Sequence, residues 1–233
     1  MRPSIPDRLD RLAPARSGSP DPAEIGATPA RSTRRRDRVY RIVTRVLAVL
    51  LLPVAFAAAP RRARHVACQW ALAARFPAEN LHGLTPQTRA AFEAARTRAL
   101  WRDGELIGLT DGYRSAARQE RLFAEMVRRT GSPQAARLWI LPPHQSRHVA
   151  GTALDVRPTE GARWLERHGG RYHLYRVYDN EWWHFEYRPE GAPARLSHPG
   201  ASIPARGRVG EPTGGWVTSG AARHERIGQW SPA

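Results

Sequence analysis

The segment SRHVAGTALDV, Ser146 to Val156, places His148 and Asp155 seven positions apart around Gly151. Further on, NEWWHFEY, Asn180 to Tyr187, supplies Glu181 and His184. A catalytic zinc ion takes about three protein ligands of nitrogen or oxygen type and keeps one position open for water. It also works with a carboxylate that is not a ligand and takes the proton from that water. The chain offers such a set: His148, Asp155 and His184 as ligands of one zinc ion, and Glu181 as the free base. Taken singly, each histidine has an ordinary packed role as its alternative. Their occurrence together with the two acids favours a metal site.

This is not the helical pattern in which two histidines four apart share one face. The small residues Ala150, Gly151, Thr152 and Ala153 predict a bend followed by a strand, with backbone packed closely at the glycine. Glu181 and His184 are three apart, and on a regular strand they would point to opposite faces. Both reach one ion if Glu181 lies in the turn before the strand, around Asp179-Asn180, or if a bulge intervenes. Trp182 and Trp183 would then wall the pocket. Glu186, on the same strand face as His184, is a candidate outer partner of the metal site.

The elements that must position these groups read as a compact α+β domain. LTPQTRAAFEAARTRALW predicts a helix with Thr85 as N-cap and Pro86 in its first turn. ELIGLTDGY predicts a short strand entering a turn. SAARQERLFAEMVRRTG predicts a helix capped by Ser115 and stopped near Gly131. A short helix follows around ARWLERHGG, and then RYHLYRVY and WWHFEYR read as two strands of a hairpin. The patterned region runs over 65–190. Residues 1–40 and 191–233 are rich in Pro, Ser, Gly and Arg without apolar periodicity, and both are expected to be disordered. Between them and the domain, 41–59 reads as a signal peptide or a short anchor. Arginines precede an apolar run from Val46 to Phe56, which ends in Ala57-Ala58-Ala59. The run is short of the roughly 20 residues of a membrane span, so a cleaved signal is the favoured reading. The domain is expected outside the cytoplasm, touching a membrane only if 41–59 is retained.

The chain of 233 residues carries 37 Lys+Arg against 21 Asp+Glu, a formal net charge of +16, and every one of the 37 is arginine. The absence of lysine excludes a phosphate-loop lysine, a Schiff base and a serine-x-x-lysine centre. The single cysteine, Cys68, excludes an intrachain disulfide and a multi-cysteine zinc finger. The arginines are scattered and form no stripe with aromatics, so no nucleic-acid partner is expected. A basic wall-binding protein is the alternative of a different class.

Three motifs in order, DGYRSAARQ, SRHVAGTALD and EWWHFEY, resemble the VanY-type zinc D-Ala-D-Ala carboxypeptidases, which are related in fold to lysostaphin-like peptidases and the hedgehog signalling domain. The resemblance covers about half of the chain. It implies a small antiparallel sheet flanked by helices with the zinc site at one edge of the sheet. His148, Asp155 and His184 would bind zinc, Glu181 would be the general base, and Arg114 would polarise the scissile carbonyl or hold substrate. Gln119 and Ser146 would contact the substrate, a peptidoglycan stem peptide ending in D-Ala-D-Ala, and a monomer is expected. An L,D-carboxypeptidase, a dipeptidase, an endopeptidase or a non-catalytic zinc module would share the same metal set.

Overall fold

The structure is a computed structural model that describes residues 31–201; the terminal stretches 1–30 and 202–233, read above as disordered, lie outside the described residues. Helix α1, Arg31–Leu50, is followed by α2, Leu52–Ala58, and α3, Ala63–Arg75. No Gly or Pro interrupts the chain from Arg31 to Leu52, so α1 runs for 20 residues. Pro53, in the first turn of α2, has no N–H to continue the ladder, and the axis bends by 46° there. The helical turns of α1 therefore begin well inside the segment expected to be disordered up to residue 40.

The domain proper follows. Helix α4, Pro86–Arg98, starts where the sequence predicts, with the Thr85 hydroxyl accepting from Thr88 N at 3.2 Å. It ends in a π-helical turn over Ala99–Asp103. Strand β1, Gly108–Asp111, leads to α5, Ala116–Thr130, capped by Ser115 and closed by Gly131 in the left-handed conformation. The short α6, Pro133–Ala136, and a loop then precede β2, Ala153–Arg157; α7, Thr159–His168; β3, Leu174–Arg176; and β4, His184–Tyr187. The strand predicted over RYHLYRVY is shorter than expected, because Gly169–Tyr172 form a 3₁₀ turn and His173 takes a positive φ of 58°.

The four strands form one antiparallel sheet in the order β1-β2-β4-β3, so the class is α+β, as predicted. Alternation along the strands separates two functions. Leu154, Val156 and Phe185 face a core built with Phe92 and Ala95 of α4 and Trp164 and Leu165 of α7. Ala153 and Asp155 of β2, with His184 and Glu186 of β4, belong to the opposite face, and the register sets Asp155 beside His184. Cys68 is fully buried in a second cluster with Leu72, Phe76 and Leu100. Burial pushes its thiol up to about 11, which removes it as a nucleophile.

Residues 191–201 are not loose, contrary to the reading of 191–233 as a disordered tail. Leu196 bridges Tyr178, its carbonyl accepts from Asp179 N at 2.8 Å, and Arg195 pairs with Asp179 at 2.8 Å and with Glu166 at 3.0 Å. Backbone pairing and ion pairs, neither of which has a hydrophobic period, hold this segment.

Candidate metal centre

Two inner strands and two turns build the site. Asp155 sits on β2 and His184 opens β4, side by side at the end of the sheet where β4 begins. His148 comes from the turn before β2, and that turn depends on Gly151. Its φ is +70°, and a Cβ there would stand 2.5 Å from the Gly83 carbonyl oxygen, while its own carbonyl accepts from Thr85 N at 3.0 Å. Backbone meets backbone, so nothing flexible can yield. Gly151→Val is therefore expected to cost at least about 1–3 kcal/mol, read as a lower denaturant midpoint; an unchanged midpoint would show that the turn tolerates a side chain.

The donor atoms of His148, Asp155 and His184 all lie within 4.8 Å of one another, and all three residues are buried. His148 Nδ1 lies 2.6 Å from the Gly112 carbonyl, which can only accept. Nδ1 is thus the protonated nitrogen, and Nε2, 3.4 Å from Asp155 Oδ1, carries the free lone pair. His184 Nδ1 lies 3.0 Å from the same oxygen, and its Nε2 is 3.3 Å from Glu186 Oε1. Two imidazole lone pairs and one carboxylate oxygen aimed at a common point form the donor set that suits zinc.

Glu181 occupies the turn before β4, so both it and His184 reach the site without a bulge: Glu181 Oε2 is 3.8 Å from His184 Nδ1. Trp182 and Trp183 stand edge to face next to it, with Trp183 buried. Burial drives the Glu181 carboxyl up to about 7, against the opposing pull of His184. Burial also disfavours charge on Asp155 and His184, but they offset it for each other. The histidines hold the Asp155 carboxyl well below the usual range, and hydrogen bonds to Asp155 and Glu186 lift His184 to about 10.

In the metal-free protein the shifts of Glu181 and His184 have the same sign. A raised folded pKa contributes stability that is present at low pH and lost as pH rises. Glu181 loses its share between 4.5 and about 7, and His184 between 6.5 and about 10. The melting temperature of chelator-treated protein should fall as pH rises through these windows, and added zinc should restore more stability at the alkaline end than at the acid end. A metal-free melting temperature that rises over the same range would contradict this assignment.

The remaining expected residues take more specific places. Arg114, 7% exposed, gives Nη2 to Asp155 Oδ2 at 2.9 Å and Nε to Asp111 Oδ2 at 2.9 Å. It holds the Asp155 oxygen that the histidines do not share. Its Nη1 has the weakest engagement, 3.4 Å to Gln119 Oε1. Gln119 is 1% exposed and its Nε2 donates to the Leu141 carbonyl at 2.7 Å. Both ends of the amide are used inside the protein, and its oxygen steadies Arg114. Ser146 is buried in the turn before His148, its N–H donating to the Pro143 carbonyl at 3.2 Å and its carbonyl accepting from Ala150 N at 3.3 Å.

Sequence reasoning missed Asp111, which also pairs with Arg118 at 3.1 Å, and Tyr178, whose ring stacks on His184 at 5.1 Å. The three-residue spacing of Asp111 from Arg114 was a usable signal; nothing in the sequence marked Tyr178.

Among curated proteins, none matches the chain in sequence. Among solved structures, a zinc(II) complex of a mutant of the vancomycin-resistance D,D-pentapeptidase VanY from a VanB-type resistance cassette is 23% identical, with a TM-score of 0.41 over 47% of this chain and 76% of that one. The L,D-carboxypeptidase LdcB is 26% identical, with a TM-score of 0.39 over 45% and 65% of the two chains. DacB from Streptococcus pneumoniae is 25% identical, with a TM-score of 0.39 over 47% and 68%. Residues 81–190 match the family model of VanY, D-alanyl-D-alanine carboxypeptidase, a span just under half of the chain that contains every residue of the cluster.

Proposed function

We propose that the protein is an extracytoplasmic zinc peptidase that removes the terminal D-alanine from peptidoglycan stem peptides, acting as a monomer. The observation that carries this reading is the convergence of three buried donors with one additional carboxylate, Glu181, left beside them. A purely structural zinc site closes its coordination shell and has no use for an unligated base.

His148 Nε2, Asp155 Oδ1 and His184 Nδ1 would hold the ion. When bound, zinc supplies Lewis-acid activation of water and of the scissile carbonyl. Glu181 accepts a proton from the attacking water, whose oxygen bonds to the carbonyl carbon. As the C–N bond breaks, Glu181 passes that proton to the leaving D-alanine nitrogen. A carboxyl lifted by burial to about 7 is well placed for both transfers at neutral pH. Arg114 keeps Asp155 oriented, and its loosely engaged Nη1 is the part of the guanidinium most readily given to a substrate oxygen. The Ser146 hydroxyl, in the turn before His148, is a second candidate contact for the substrate.

The deciding experiment is mass spectrometry of stem peptides of defined length and terminal stereochemistry, incubated with the full chain with and without chelator. Chelator-sensitive loss of one D-alanine from a D-Ala-D-Ala terminus is expected. Cleavage at an L,D bond, release only from free dipeptide, or internal cleavage would each replace the substrate assignment. Absence of any cleavage by zinc-loaded protein would leave a binding module.

A further inference from the structure

A helix packed on a protein in water turns its apolar stripe to the core and its polar stripe outward. Helix α1 does the reverse. Its inner line is Asp37, Arg41, Thr44 and Ala48, with Thr44 2% exposed and Ala48 fully buried. Arg41 pairs with Glu105, and the Thr44 hydroxyl donates to the Tyr40 carbonyl at 2.7 Å. The outer line is Val39, Ile42, Val43, Val46, Val49 and Leu50, exposed by 49% to 70%. Their spacing of three and four places them on one face. Beyond the bend, Val54 and Phe56 of α2 are also exposed, at 60% and 61%, on either side of the fully buried Ala55. Six large apolar side chains on one face of α1 are a partner site, not the ordinary scatter of exposed hydrophobics.

The charges beside this face name the partner. Asp37 is the only acid in α1, while exposed Arg36 lies to one side of the apolar stripe and exposed Arg38 and Arg45 to the other. Arginines so placed can lay their stems on the apolar surface and extend their heads to phosphate. A cavity of about 450 Å³ opens beside the same helix, lined by Arg38, Arg41, Arg75 and Arg157 against two acids, Asp37 and Glu160. Arg75 and Arg157 each bury an Nε–H that has no hydrogen-bond partner among the described residues. Arg75 instead lies 4.0 Å over the Tyr40 ring and Arg157 5.1 Å over the Phe76 ring, on the side of α1 away from the apolar stripe, so this cavity belongs to the packing of α1 on the domain.

The segment does not read as a span. No single described helix is long and apolar enough to cross a membrane; the length is reached only by Arg36–Leu50 and Leu52–Ala58 together, with the bend between them. Ala48 packs with Cys68, Ala71 and Leu72, and Ala55 with Ala63 and Ala67 of α3. Crossing a bilayer would strip both contacts from the domain. We infer that α1 and α2 are a retained, in-plane anchor that seats the protein on a bilayer rich in anionic phospholipid.

The test uses the full chain and vesicles of phosphatidylcholine, alone or mixed with phosphatidylglycerol. Binding to the mixed vesicles should be at least about tenfold stronger, and Ile42→Glu, Val46→Glu and Val49→Glu combined should remove it with an unchanged melting temperature, because these positions are exposed. Should that variant misfold, Arg36→Gln with Arg38→Gln and Arg45→Gln should abolish the preference for the anionic vesicles. Alkaline carbonate should release the protein from membranes. Equal binding to both vesicles, binding that survives the substitutions, resistance to carbonate, or a mature chain beginning after Ala59 would each overturn the inference.

Discussion

Glu181→Gln is expected to lower kcat on a D-Ala-D-Ala-ended pentapeptide by about 10²–10⁴-fold, the usual worth of a positioned proton acceptor, while the protein still binds about one zinc. The separation of the two readouts follows from the geometry. Glu181 lies in the turn before β4 and is not one of the three donors that face one another, so an uncharged isostere removes proton transfer and leaves the ligand set intact. It also removes a buried carboxyl whose ionisation burial opposes, so the variant should be at least as stable as the parent at neutral pH in the absence of metal. Near-normal turnover would show that another group takes the proton. Loss of zinc together with activity would make Glu181 a ligand.

His148→Ala should have the second large effect, on metal affinity. An outer partner of a ligand typically contributes about 10–100-fold to affinity, and removing one of three ligands should cost more than that. His148 is oriented by the Gly112 carbonyl at 2.6 Å, a bond no other side chain at this position would reproduce. The expected result is less than one zinc per chain after dialysis, with loss of the stabilisation that metal confers on the parent. That stabilisation amounts to about 2.7 kcal/mol when free metal stands a hundredfold above Kd. Since the alanine also leaves a space, Asp155→Asn serves as a control of nearly equal volume: it should lose metal as well. Retention of stoichiometric zinc by both variants would mean that the ion binds elsewhere.

The sequence by itself determined the parts governed by local chemistry. Thr85, Ser115 and Gly131 set the bounds of α4 and α5 because caps and left-handed turns act within a few residues. The types His148, Asp155, Glu181 and His184 were legible because few other functions require that mixture of donors and acid. Tertiary structure alone decided what depends on distance. Strand register set Asp155 against His184. The partners of Gln119 turned out to be Arg114 and the Leu141 carbonyl. Leu196 was recruited to Tyr178 from a stretch with no periodicity of its own. Most of all, the fold decided which face of α1 is outside. An apolar stripe reads the same along the chain whether it meets a core or a bilayer; only packing of the opposite face onto α3 and Glu105 reveals which one it is left to meet.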